Sequence, residues 1–291
     1  MDNITIYLSC CDKYNYILPA TIYLYNKFIK PNPLIKILGF KKPELPDWDN
    51  IEFISLSEKQ ENINLWSNYL YNYFINIEDE YVFLALDDFF PIDNINLDCY
   101  KYVMDYMKKN PVGFCILSQE PSSDPNRNEV DEILVDNDKY FVYKRKKNVG
   151  YQLVLQPAIW NRKYLLKYLK YNCSPWDFEL KLSNIANKDN NYYNISTSKY
   201  PIDNPKCLLP YNDNSSLSSK WINKISVIGL RNNIVQELID LNLIDSNKLI
   251  IGAWGIDVKW NKNFSKKDLK ILSDKVSHNN WYAKFKNYYY D

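Results

Sequence analysis

The chain has 291 residues and a formal net charge of +1, from 36 basic and 35 acidic side chains, so it carries no general electrostatic drive toward nucleic acid or an anionic membrane. Apolar residues make up 46% of it, enough for the core of one large α/β domain and too much for wholesale disorder. It has one histidine and six glycines, none of them in a Gly-x-Gly-x-x-Gly or Walker A arrangement. That argues against a histidine-rich zinc site, a Ser-His-Asp triad, a Rossmann dehydrogenase and a P-loop NTPase.

In chain order, residues 4–11 (ITIYLSCC) read as a buried strand and are followed by Asp12-Lys13-Tyr14. A helix over 16–29 ends at Pro31 and Pro33. Strands over 34–40 and 51–56 precede an aromatic amphipathic helix over 63–77. Residues 81–86 (YVFLAL) are apolar throughout, as a central parallel strand is, and run directly into Asp87-Asp88. A helix over 97–109 and a strand over 112–118 complete an alternation that predicts a mostly parallel sheet with helices on both faces. The polar, turn-rich stretch 120–138 reads as a loop suited to a lid. Residues 140–146 and 151–160 read as strands of a hairpin turning near 148–150. Helices are expected over 162–169, from Ser174 to about 186, and over 232–242, with a short strand over 249–254. The expected division is a domain over 1–230 and a helical or extended C-terminal extension over 231–291.

The six cysteines form no Cys-x-x-Cys pair and read as thiols of a reducing compartment. No segment reads as a signal peptide, and no apolar stretch approaches the ~20 residues that span a bilayer. A soluble, cytoplasmic protein is the expectation. The abundance of Asn, Lys, Ile and Tyr suggests an AT-rich genome.

Four constellations carry chemistry. In LALDDFFP (84–91), two adjacent acids end an apolar strand. Such carboxylates hold Mg²⁺ or Mn²⁺ together with a substrate's phosphates, or they simply cap the following turn. In SPWDFE (174–179), Ser174, Pro175 and Asp177 are explained as helix-start residues. Glu179 is not; it either complements the helix dipole or serves as a general base. In YQLVLQPAIWNR (151–162), a regular strand would put Gln152 and Gln156 on one face near Trp160, suited to sugar hydroxyls and a ring face, or leave them as ordinary outward polar positions. Asp12, Lys13 and Tyr14 can hold a nucleotide base and ribose, as any α/β loop can. Ser67, in Trp66-Ser67-Asn68, opens the helix before the acidic strand and shares that edge, although Trp66 reads more as core.

In order and spacing, Cys-Asp-Lys-Tyr after the first strand, LGF, FISL, WSNYL, LALDDFF, YQLVLQPAIWNR and SPWDFE resemble a family of GT-A glycosyltransferases from polysaccharide and capsule clusters, over roughly residues 4–182. The resemblance implies a GT-A fold and transfer of a sugar from a nucleotide-diphosphate donor, UDP-sugar being expected, to a carbohydrate hydroxyl. It also implies a Mn²⁺ or Mg²⁺ cofactor. Leu86-Asp87-Asp88 stands where the family has Asp-x-Asp, an imperfect match. Asp88 is then the first metal ligand, and Asp87 binds ribose or bridges to the ion through water. An acid some distance downstream acts as the base in inverting members. Glu179, about 90 residues after the acidic pair, is favoured over Asp177 because capping already explains Asp177. His278 is the sole candidate for a late metal-binding histidine. The alternatives are a non-catalytic carbohydrate-binding or degenerate transferase-like module, given 26 Tyr, 12 Phe and 8 Trp, and a sugar nucleotidylyltransferase. The latter lacks its Gly-rich basic loop here.

Overall fold

The TIYLS run forms β1 (Thr5–Ser9), and its side chains divide between two cores. Ile6 and Leu8 enter one and Tyr7 the other, as the two-residue period of a strand requires. The structure is a computed structural model that describes residues 4–59, 62–119, 130–148, 151–198, 206–213, 225–226, 230, 232–253 and 256–259. After β1 come α1 (Leu18–Phe28), β2 (Leu34–Gly39), β3 (Ile51–Ser55), α2 (Trp66–Phe74), β4 (Tyr81–Leu86), β5 (Phe89–Pro91), α3 (Leu97–Lys109) and β6 (Val112–Gln119). Then follow β7 (Val130–Asp136), β8 (Phe141–Arg145), β9 (Ala158–Asn161), α4 (Arg162–Leu169), α5 (Pro175–Ala186) and β10 (Tyr193–Ser198). The remaining elements are β11 (Tyr211–Asp213), β12 (Ile225–Ser226), α6 (Asn232–Asp240), β13 (Leu249–Ala253) and β14 (Ile256–Lys259).

The main sheet has nine strands in the order β3-β2-β1-β4-β9-β6-β10-β8-β7. The β3, β2, β1 and β4 pairings are parallel. Beyond β4 the sheet is mixed: β9 runs antiparallel to both its neighbours, β10 is parallel to β6, and β8 and β7 pair antiparallel. The expected α/β architecture is therefore present, but only half of the sheet is parallel.

Helices cover both faces. α1 and α3 pack with Ile6, Leu8, Phe83, Ala85, Cys115 and Ile159 on one. α2, α4 and α5 pack with Tyr7, Val82, Leu84, Phe114 and Trp160 on the other. The helix starts follow local chemistry. Asn96 caps α3 by accepting from the Cys99 amide, and Ser174 caps α5 by accepting from the Asp177 amide with Pro175 at its first position. A third core joins the outer face of α1 (Ile17, Ala20, Leu24, Phe28) to Ile234, Val235 and Leu238 of α6 and Leu249 of β13. The Glu237 carboxylate accepts from both Tyr23 and Lys27 across that junction. Residues 260–291, including His278, lie outside the described residues, as do 120–129 of the expected lid.

Four expectations are corrected. Residues 130–136 are not loop but edge strand β7, largely exposed and acid-bearing, as edge strands commonly are. Residues 151–157 are not strand, and β9 begins only at Ala158. β8 and β9 form no hairpin, because β9 inserts between β4 and β6. Trp160 is completely buried against Phe114, with ring centroids 4.3 Å apart, and offers no sugar platform. Strand β10 was not expected at all: Asn194, Ser196, Thr197 and Ser198 are polar yet buried.

The sheet and α4 approach closely at Gly113, where an added Cβ would lie 2.6 Å from Tyr164 Cε1 and 2.7 Å from Asn194 Oδ1. Both neighbours are themselves buried, so neither can swing into solvent. Gly113→Ala is expected to destabilise the fold by about 1–3 kcal/mol, the usual cost of overpacking, read as a lower denaturant midpoint with an unchanged slope.

Candidate functional site

β1 and β4 are parallel neighbours with Ser9 opposite Leu86. The residues that follow, Cys10-Cys11-Asp12 and Asp87-Asp88, therefore leave the sheet side by side. They do so at the carboxyl ends of parallel strands, where open α/β sheets bind their ligands.

Asp87 is buried, at 6% exposure, and its Oδ2 meets no hydrogen-bond partner among the described residues. Burial pushes its carboxyl up to about 7; the Cys11 amide, its own amide and the Lys13 ammonium counteract this only in part. Its negative charge in turn helps to raise the Cys10 and Cys11 thiols, after burial itself. The Asp87 carbonyl accepts from Thr21 Oγ1 of α1 at 2.7 Å. Asp88 is half-buried beside it. Asp12 Oδ1 accepts from the Lys41 amide at 2.9 Å, which ties the loop after β1 to the end of β2. Lys13 lies 4.7 Å from the centre of the Tyr14 ring.

Two helix starts close the same edge. Trp66 donates from Nε1 to Ser9 Oγ at 3.3 Å and meets Phe178 edge-on at 5.7 Å. The first turns of α2 and α5 thus meet at the end of β1. Ser67 is fully buried; it donates to the Tyr171 carbonyl at 2.6 Å and accepts from the Cys173 amide at 3.0 Å. Its hydroxyl pins α2 to the entry of α5.

Residues 151–155 are held by side chains rather than by a strand neighbour, and the sheet takes over at Pro157, whose carbonyl accepts from the Leu117 amide of β6 at 3.1 Å. Glu179 Oε1, Ser183 Oγ and Asn187 Oδ1, four residues apart along α5, accept from the amides of Leu155 (2.6 Å), Leu153 (2.8 Å) and Asn148 (2.8 Å). The four-residue spacing puts all three acceptors on one helix face. Pro157 has no amide to donate, and Tyr151 takes a positive φ of 56°. The two glutamines accordingly share no strand face. Gln152 is buried, with its Oε1 unpaired among the described residues. Gln156 Oε1 accepts from the Tyr211 hydroxyl at 2.9 Å. Tyr211 pairs with Pro91 in the β5–β11 ribbon and stands edge-on to Phe89 at 5.4 Å, so Gln156 reaches the segment directly after the acidic pair.

The structure thus brings Asp12, Lys13, Tyr14, Asp87, Asp88, Gln156 and the start of α5 to one edge, with Ser67 beneath it as a packed group, whereas the Gln152 carbonyl accepts from Asn194 near the start of β10, toward the opposite ends of these strands. Glu179 is half-buried there, with one oxygen on Leu155. Asp177 pairs with exposed Lys181 at 3.0 Å. Trp176, in the same first turn of α5, is 59% exposed and builds no apolar wall over Glu179. Tyr211 and Thr21 were missed by the sequence reading. Thr21 has a sequence signal, since it and Tyr25 are hydroxyl-bearing residues four apart on a mostly apolar helix.

No group of three or more His, Cys, Asp or Glu side chains with metal-binding placement occurs among the described residues. A divalent ion held jointly with phosphates requires only one or two carboxylates. A buried carboxylate with an unpartnered oxygen fits that requirement. No described helix is long and apolar enough to cross a membrane, and the cysteines form no disulfide among the described residues. No protein-family model matches the chain, and no curated protein does. Among solved structures it is similar to A197 from STIV, with a TM-score of 0.37 and 11% identity over 67% of this chain and 81% of that one. A likeness at that level carries no argument about fold or chemistry.

The upward shift of Asp87 has a definite sign. The folded state holds this proton above the unfolded value of 3.8, so its stabilising contribution is complete below about pH 4 and is lost as pH rises through about 7. In EDTA, the melting temperature is expected to fall between pH 5 and pH 8, and to fall less in Asp87→Asn. At pH 8 the variant is expected to be the more stable protein, because it removes a buried charge. Thermal unfolding of both chains across that range checks this; parallel pH curves would contradict it.

Proposed function

We propose that the chain is a metal-dependent glycosyltransferase of GT-A fold, moving a sugar from a nucleotide-diphosphate donor, UDP-sugar first, to a carbohydrate hydroxyl with inversion. The observation that carries the reading is Asp87: a buried carboxylate with an unpartnered oxygen, at the carboxyl ends of two parallel strands, beside a second acid and a lysine. The sequence resemblance supplies the reaction class. When bound, Mn²⁺ or Mg²⁺ supplies Lewis-acid neutralisation of the leaving diphosphate.

The chain's own residues have the following parts. Asp88 and Asp87 hold the ion on the donor side. Lys13 adds positive charge at the same edge, and Asp12 and Tyr14 face the base and ribose. Gln156, fixed by Tyr211, lies beside the acidic turn for sugar hydroxyls. Glu179 takes the proton from the attacking hydroxyl on the side opposite the leaving group, so the new bond forms in line with the one that breaks. The Leu155 amide on its Oε1 orients the carboxylate. That contact equally suits a non-catalytic carbohydrate-binding module in which Glu179 only shapes the 151–157 segment, the second reading.

Calorimetry with UDP tests the donor side: binding is expected with Mn²⁺ and is expected to weaken sharply in EDTA and in Asp88→Asn. Equal affinity in EDTA would remove the metal from the reading.

The acceptor side is tested by sugar transfer. Glu179→Gln keeps an oxygen for the Leu155 amide, so UDP binding and melting temperature are expected to hold while turnover falls by on the order of 10²–10⁴. Asp177→Asn loses only an exposed i,i+4 pair, about 0.5 kcal/mol or less, and is expected to stay active. Absence of transfer by wild-type protein across a donor panel, with UDP still bound, would favour the binding module.

A further inference from the structure

The acidic turn rests on α1, and two hydroxyls of that helix lie beneath it. Thr21 is completely buried; its Oγ1 stands 2.7 Å from the Asp87 carbonyl and 3.2 Å from the Ile17 carbonyl. A threonine that merely bonded back onto its own helix would approach the carbonyl four residues earlier most closely. Here the shorter contact leaves the helix for the acidic turn.

Tyr25 is four residues further on, hence on the same face, and is also completely buried, edge-on to Phe83 of β4 at 6.2 Å. Its hydroxyl meets no hydrogen-bond partner among the described residues. The rest of that face, Leu18, Ile22 and Ile29, is apolar core. A phenylalanine would fill the same space without the penalty of an unsatisfied hydroxyl, so packing does not account for the oxygen. Helical side chains lean toward the N-terminus of their helix, so Tyr25 leans toward Thr21 and the acidic turn that Thr21 holds, and the Asp88 charge raises its hydroxyl further after burial has raised it.

We propose that Thr21 and Tyr25 are positioning residues for a divalent cation held by Asp87 and Asp88: Thr21 fixes the Asp87 peptide, and the Tyr25 hydroxyl donates to the Asp88 carboxylate in the cation-bound state. The proposal rests on the reading of the acidic pair as a cation site. It follows the general rule that carboxylates ligating a metal are themselves held by hydrogen bonds, without which affinity drops by about 10- to 100-fold.

The test measures Mn²⁺ binding to the full chain by loss of the free-ion electron paramagnetic resonance signal, with and without UDP, alongside thermal unfolding in EDTA. Tyr25→Phe is expected to melt at or above the wild-type temperature yet bind Mn²⁺ about 10-fold or more weakly. Thr21→Val is expected to weaken binding too, and Thr21→Ser, which keeps the hydroxyl, to restore it. Wild-type affinity in Tyr25→Phe, or Thr21→Ser no better than Thr21→Val, overturns the proposal. A wild-type chain that binds Mn²⁺ but not UDP overturns the sugar-nucleotide reading and leaves this inference to be judged on Mn²⁺ alone. A wild-type chain that binds no Mn²⁺ under either condition overturns the inference itself.

Discussion

A carboxylate taken out of water without a full set of partners is the constraint on which the rest of this edge depends. Asp87 sits where β1, β4 and α1 converge, and the fold supplies only part of what its charge needs, two amides and a nearby ammonium, while the Thr21 hydroxyl satisfies its backbone carbonyl. Folding alone would favour an apolar or amide residue at this position. Natural chains tolerate such local conflicts where function needs them. In the function proposed above, a cation from outside the chain would complete the partners of this buried acid and its neighbour.

The surroundings share one logic, in which polar side chains hold irregular backbone where no strand is available. Asp12 ties the loop after β1 to the end of β2. Ser67 ties α2 to the entry of α5. Glu179, Ser183 and Asn187 do for residues 148–155 what a neighbouring strand would do, taking up amides that would otherwise stay unpaired. These bonds keep the segment out of the sheet until Pro157 and leave Gln156 and its Tyr211 partner at the acidic edge. The same groups thus serve both stability and placement.

This logic also explains what the sequence revealed. The parallel half of the sheet was legible because β1, β2 and β4 are apolar on both faces, and their alternation with helices has one simple solution. The acidic pair was legible because it directly follows such a strand. β10 was not: buried Asn194, Ser196 and Thr197 carry no hydrophobic signal, and their burial depends on distant partners such as the Gln152 and Leu117 carbonyls. β7 was hidden by its charges, which an edge strand tolerates. The 151–157 stretch read as strand because its apolar residues alternate with nothing to reveal that α5, some twenty to thirty residues later, takes its amides. Trp160 illustrates the converse error, since an aromatic beside amides reads equally as platform or as core until its neighbours Phe114 and Phe178 are placed.

Helix α1 extends the argument beyond the edge itself. One of its faces carries Thr21 and Tyr25 under the acidic turn; the other, through Ile17, Ala20, Leu24 and Phe28, is the floor on which α6 and β13 pack. The Glu237 carboxylate fastens that second face through Tyr23 and Lys27, and loses its grip on protons as a result, held below the usual carboxylate range by the Lys27 and Tyr23 bonds against the opposing effect of burial. A single eleven-residue helix is therefore clamped between the acidic turn and the C-terminal elements. Close-packed interiors respond to a displaced helix by moving it as a body rather than by deforming it. The placement of the acidic pair is thus set from two directions, by the strands that deliver it and by the helix beneath it. Contact of this kind establishes spatial continuity between α6 and the site; energetic coupling is a separate property, carried only if α1 has two packed positions that both ends distinguish.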